Sequence, residues 1–356
     1  MISEPVLRLA VARAIVTADQ AERLRQLASE HAVREFEVAP DHEKLRFITG
    51  FGDIFVVIGL GLFLGAAGYF LADNMPPLLL WGGLAVLSWG LAELFTRHRR
   101  MALPSIVLLV LFSGFSFLAL HLLLTGLFGK GWPEHSVLPD FGHAGILGTT
   151  ALANCALVAL HYWRFRVPVT VASGVGALAL AAFAFLLALA PGFMTRFGGW
   201  VILAFGIGVF ALAMRFDRSD LARETRRTDI AFWLHLMAAP LIVHSFIAVV
   251  FGGVHDVTFA KAIGLLAVFA GLAVLALLID RRAILVSALV YAGTAFGTVF
   301  RETALSNAAV PASLLVLGVF ILGLSSGWQP LRRGVLALVP AHIRAGLPTL
   351  SNRSNA

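Results

Sequence analysis

From residue 53 onward the chain alternates long apolar runs with short polar breaks. The runs cover 53–72, 77–96, 103–127, 143–161, 167–190, 198–214, 229–251, 258–279, 283–300 and 308–326. Each is close to the ~20 residues that an α-helix needs to cross a hydrocarbon core of ~30 Å. Proline, glycine and charged residues punctuate them. The pattern predicts an all-α fold: a polytopic transmembrane helix bundle of about ten spans over residues 51–326.

The flanks follow different patterns. Residues 3–31 read as two short helices, a small cytosolic hairpin within a head and linker of residues 1–50. Pro5 suits a first helical turn, and Val6, Leu7, Leu9, Ala10 and Ala14 supply an apolar stripe. Thr17 and Gln20 have the spacing of a capping box, ahead of Leu24 and Leu27. So little apolar surface cannot form a core alone, which predicts docking on the membrane domain or on a protein partner. At the other end, residues 327–356 form a cytosolic tail. Within it Leu331, Val335, Leu336, Leu338 and Val339 lie beside Arg332, Arg333 and Arg344, which predicts an amphipathic helix at the lipid interface. In that arrangement Trp328, Arg332, Arg333 and Arg344 meet the bilayer surface and its anionic headgroups.

Composition agrees with a membrane protein. Of 356 residues 59% are hydrophobic and 13% charged, against about 25% charged in ordinary soluble domains. Three lysines stand against 24 arginines, and their distribution carries the orientation. Arg97, Arg99, Arg100, Arg164, Arg166, Arg215, Arg218, Arg223, Arg226, Arg227, Arg281 and Arg282 fall in four loops on one side; Lys130, Arg196, Lys261 and Arg301 are spread over the other. The positive-inside rule places the arginine-rich loops and both termini in the cytosol. The excess of +7 is thereby assigned to short loops, so no nucleic-acid partner is expected. No signal peptide is expected either, since residues 1–50 mix acids and bases. Cys155 is the single cysteine, which excludes an intramolecular disulfide and a cysteine-cluster metal site.

Candidate chemistry centres on the seventh run. His235 lies roughly 9 Å and His244 roughly 22 Å in from Asp229, with Pro240 between them. On a straight helix nine residues set the two rings on opposite sides, and a kink at Pro240 would bring them partly round. The expectation is a polar site lining the bundle interior, because an imidazole in lipid leaves its donor and acceptor unmade. By depth His121 is the expected partner in the outer half and Glu93 in the inner half. Asn154, Thr294 and Thr298 suggest interhelical hydrogen bonds, and Asp53 suggests contact with an interface or an arginine. Residues 161–164 read as an interfacial belt. Glu134, His135, Asp140 and His143 lie in a Pro/Gly-rich loop without fixed geometry, so no metal site is expected, nor any other cofactor. No Walker loop, zinc helix or nucleophile elbow occurs, which predicts a non-enzymatic protein.

The hairpin with Ile15-Val16-Thr17 and Gln20, the glycine-rich first span from Gly50 to Gly68, and the seventh span from Phe232 to His244 resemble bacterial polytopic inner-membrane proteins of unknown function with a cytosolic helical head. The resemblance implies a bacterial inner membrane and no activity. The expected role is binding of a partner or lipid as an envelope or scaffold protein; the alternative is proton-linked secondary transport of a small solute at the seventh helix. Ten spans divide into two fives of odd length, the parity of an inverted repeat, although only a loose similarity joins 51–70 to 197–216.

Overall fold

The computed structural model describes residues 10–13, 15–24, 26, 51–129, 143–220, 225–253, 257–302 and 306–340. The apolar head residues before Ala10, the linker 35–41, the loop residues Glu134, His135 and Asp140, and the tail arginine Arg344 lie outside them. The chain divides into two compact units, Met1–Arg46 and Phe47–Ala356. In the first, helical turns occupy 10–12 and 18–24. Between them Thr17 N donates to Gln20 Oε1 at 2.9 Å and Gln20 N donates to Thr17 Oγ1 at 3.2 Å, the two reciprocal bonds of a capping box.

The second unit is an all-α polytopic bundle, with no strand among the described residues. Its helices are α1 (Phe51–Ala72), α2 (Pro77–Ala92), α3 (Ala102–Phe128), α4 (Ala144–Phe165), α5 (Val169–Leu189), α6 (Pro191–Arg218), α7 (Arg226–Phe251), α8 (Phe259–Ile279), α9 (Ala283–Arg301), α10 (Ala309–Ser326) and α11 (Trp328–Ala337). The first ten are long and apolar enough to cross a membrane, α2 being extended by a π-helical stretch, Glu93–His98. Helix ends follow local chemistry. Pro77 and Pro191 open α2 and α6, where a missing N–H costs nothing. Thr225 and Thr258 cap α7 and α8 through their side-chain oxygens. Asp53 of α1 accepts from Leu103 N at 3.4 Å, placing a carboxylate at the positive end of α3.

Sequential antiparallel pairs dominate the packing: α2 on α3, α4 on α5, α6 on α7 and α8 on α9. α3 also packs on α1, α4 and α5, while α7 joins α5, α6 and α9. The two halves do not repeat one neighbour pattern, since the central helix is the third of the first five and the fourth, α9, of the second. The largest apolar cluster lies in the second half, where Val243 and Ile247 of α7 meet Leu265 and Phe269 of α8, Ile284 and Ala288 of α9, and Trp328 of α11. Only 11% of the most apolar window of α1 and of α10 is buried, against 44% for α9. The outer helices therefore turn most of their apolar surface outward, as a bundle solvated by lipid does.

α6 and α7 approach closely beside Pro240. A Cβ on Gly206 would lie 2.8 Å from Ile242 Cγ1 and 3.0 Å from the Ile242 backbone nitrogen. Gly61 and Gly65, by contrast, have nothing within 4 Å of an added Cβ, so that GxxxG spacing makes no helix contact among the described residues. Thr294 and Thr298 bond carbonyls of their own helix, those of Val290 and Thr294, and not a neighbour.

α11 corrects an expectation. Trp328 is 3% and Arg332 1% exposed, so neither lies at a lipid interface. Trp328 Nε1 donates to Asp280 Oδ1 at 2.7 Å and Arg332 Nε donates to the Leu277 carbonyl at 3.2 Å, which docks α11 on the end of α8. The cause is geometric. Asp280 ends α8 in the left-handed conformation (φ 57°), exposing the last carbonyls of α8 and its own carboxylate to the helix that follows α10. Arg333, one residue on, is exposed, as are Leu331 and Leu338.

Candidate functional site

Polar residues gather in two groups at the arginine-rich ends of the helices, the first largely buried and the second reaching from a part-exposed ion pair to a buried ring. The first joins α6, α7 and the α8–α9 turn. α6 continues past the apolar run to Arg218, which carries Asp217 onto its buried face. Arg281, just ahead of α9, donates from Nε to Asp217 Oδ2 at 3.2 Å and from Nη2 to Oδ1, a bidentate pair. His235 Nε2 lies 2.8 Å from Asp217 Oδ2, and since a carboxylate only accepts, Nε2 carries the donated proton. All three side chains are below 5% exposed. Next to them Asp220 Oδ2 accepts from Thr225 N, Thr225 Oγ1 and Thr228 Oγ1 at 2.9, 2.7 and 2.9 Å, holding the start of α7 to the end of α6.

Beyond Arg281, Asp280 lies 3.7 Å from Arg332, and Arg282 stands 4.8 Å over the Trp328 ring. Burial pushes the Arg332 guanidinium below its usual value and the charge of Asp280 works against that fall.

The second group joins α2, α3 and α4. Glu93, at the head of the π-helical stretch, accepts from Arg164 Nε and Nη2, both at 2.7 Å, with Arg97 at 3.5 Å. One turn deeper on each helix lie Trp89 and His161. The ring of His161 is 4.5 Å from Phe165, 5.4 Å from Phe112 and 5.6 Å from Trp89, between centroids. It is fully buried, and neither ring nitrogen has a hydrogen-bond partner among the described residues.

Trp89 and Phe112 also close one end of a cavity of ≈ 440 Å³ between the same three helices. Its lining runs from Leu78 to Trp89 on α2, from Phe112 to Leu123 on α3, and through Leu157 and Leu160 on α4. The eleven residue steps from Leu78 to Trp89 span ~16 Å, close to the ~15 Å of one leaflet. Apart from the indole of Trp89, Ser116 is the lining residue with a polar side chain.

Ser116 belongs to a polar seam. Its Oγ donates to Asn154 Oδ1 at 2.8 Å, and Asn154 Nδ2 donates to Ser113 Oγ at 3.2 Å. Ser113 lies 3.4 Å from Ser173 of α5. On the far side of the seam a second cavity, ≈ 430 Å³, is lined by Ser113, Asn154, Ser173 and apolar neighbours. Asn154 is thus an interhelical hydrogen-bonding residue and also the wall of a cavity.

The residues expected to form one site are therefore distributed over several. His235 is buried against Asp217, whereas His244 is exposed and bonds the hydroxyl of Tyr291 on α9. This corrects the interior site expected from the pair: Pro240 is itself exposed, and the two rings keep separate partners on separate faces. His121 is buried, but its Nδ1 meets Thr150 of α4 at 3.0 Å and not His244. Thr150 spends its own proton on the Ile146 carbonyl, so it accepts from His121. Glu93 pairs with Arg164 and not with the level of His235. Of the belt 161–164, Trp163 is 74% exposed while His161 turns inward.

Asp217, Arg281 and His161 were not among the expected site residues. A lone carboxylate amid the arginines of Arg215-Phe216-Asp217-Arg218 was the one sequence signal for the first two. Among the described residues no three His, Cys, Asp or Glu side chains are grouped to hold a metal ion. No family model, curated protein or solved structure matches the chain.

Proposed function

We propose that this multi-pass protein binds an apolar or amphipathic membrane molecule in the cavity between α2, α3 and α4, as a non-enzymatic component of a bacterial inner membrane. The observation that carries the reading is the cavity itself: ≈ 440 Å³, almost wholly apolar, and about one leaflet long. The arginine-rich turns and both termini face the cytosol in this reading, on the strength of the charge asymmetry between loops. Residues 1–50 then present a small helical head to a cytosolic partner, and Arg333, exposed beside Leu331 and Leu338, faces anionic headgroups. The Asp217–His235–Arg281 cluster serves as the clamp that fixes α6, α7 and α9 to one another.

The test uses Gly82, which lines the cavity and has nothing within 4 Å of an added Cβ. In Gly82→Leu the new Cβ meets no neighbour, and the added side chain is expected to take up cavity volume. The full chain, wild type and variant, is purified from its native membrane in mild detergent, and the bound small molecules are identified by mass spectrometry. A molecule enriched on the wild type and reduced at least tenfold on Gly82→Leu is expected; identical profiles would remove the reading.

A further inference from the structure

His161 poses a problem that the fold alone does not resolve. A fully buried imidazole with neither nitrogen bonded among the described residues has given up its hydration without a hydrogen bond in return. Its surroundings are aromatic, and two of the three rings around it, Trp89 and Phe112, are also the end wall of the α2–α3–α4 cavity. The unmade hydrogen bonds therefore lie one side chain behind the end of a long apolar slot.

We infer that His161 is the polar anchor of that cavity, and that the ligand is a single-chain amphiphile ending in one small uncharged hydrogen-bonding group, a hydroxyl or a carbonyl. The inference rests on the cavity reading and specifies its ligand. A neutral imidazole carries one donor and one acceptor, which matches a hydroxyl or a carbonyl. A charged headgroup does not fit, because the walls here are aromatic and apolar and the nearby Glu93 and Arg164 are already spent on each other. The chain of the ligand has ~16 Å of slot to fill. Its polar end reaches the imidazole when Trp89 or Phe112 turns aside, a side-chain rotation and not a helix movement.

The experiment measures the melting temperature of the full chain in detergent micelles against the mole fraction of added 1-dodecanol or dodecane. The two probes share a chain and differ by one hydroxyl. For the wild type, 1-dodecanol is expected to half-saturate at about a tenfold lower mole fraction, the worth of one buried hydrogen bond. In His161→Phe, which keeps an aromatic ring and removes both nitrogens, the two probes are expected to become equivalent. Gly82→Leu is expected to lose the saturable shift for both. Absence of any saturable shift, or shifts unchanged in Gly82→Leu, would defeat the cavity reading. Saturable but equal binding of the two probes to the wild type, as when a water already occupies His161, would overturn the anchor alone, as would a preference for 1-dodecanol that survives in His161→Phe.

Discussion

Asp217 is the residue on which the second half is balanced. It is the acceptor for both Arg281 and His235, so its removal leaves a guanidinium and an imidazole in the interior without their shared counter-group. Breaking a buried pair from one side costs about 3–5 kcal/mol, whereas replacing both partners by apolar groups of similar volume is often close to neutral. Asp217→Leu is therefore expected to destabilise the detergent-solubilised protein by that amount, and the double variant Asp217→Leu with Arg281→Met by distinctly less. Denaturant unfolding of the single and double variants reads the coupling. A single variant within about 1 kcal/mol of wild type, the value of an exposed pair, would show that the cluster does not bear the packing.

At the scale of elements, α6 and α7 approach closely at a glycine. Gly206 sets α6 against the backbone of α7 beside Pro240, where the Ile242 nitrogen cannot move away. Gly206→Ala is expected to cost about 1–3 kcal/mol, as overpacking does. Gly208→Ala, two residues on in the same helix and with nothing within 4 Å of the new Cβ, is expected to be neutral or to stabilise by about 0.5–1 kcal/mol. Melting both variants in the same detergent separates helix propensity from contact. Equal effects at the two positions would mean that α6 and α7 are not held at this distance. The docking of α11 belongs to the same scale. Amphipathic spacing alone is satisfied equally by a lipid surface and by a protein surface, and the buried Trp328 and Arg332 settle it for this helix through the polar groups that Asp280 and Leu277 present.

At the scale of the whole molecule, ten helices impose alternating sides on their connections. Reporter fusions after Asn74, Ala190 and Glu302 are expected to report the periplasm, and fusions after Arg99, Arg164 and Arg281 the cytosol. Two successive turns reporting the same compartment would contradict the ten-span arrangement. Three tight turns or helix ends on the arginine-rich side hold a non-glycine residue at positive φ, Arg100, Arg166 and Asp280, at 53°, 55° and 57°. Charge is kept there at the expense of backbone ease, since glycine is the residue that adopts this conformation freely.

What the sequence determined by itself was the number of spanning helices and, to within a few residues, the limits of most of them; α6 is the exception, running over Pro191–Arg218 where the apolar run covers 198–214. Lipid offers no partner for a backbone N–H or C=O, so every crossing segment closes its own hydrogen bonds, and twenty apolar residues leave it one form. Capping at Thr17 and Gln20 was equally legible, because both partners lie within one turn. Depth along a helix was legible too, from the constant rise per residue. Which residues meet at a given depth was decided only by the tertiary structure. Glu93 and His235 are close in depth by sequence, yet one faces Arg164 of α4 and the other Asp217 of α6. His121 and His244 repeat the case with Thr150 and Tyr291. Rise per residue fixes height, whereas the rotation of each helix about its axis and its choice of neighbours come from packing across the bundle, and that information is spread over residues far apart in the chain, 71 positions for Glu93 and Arg164.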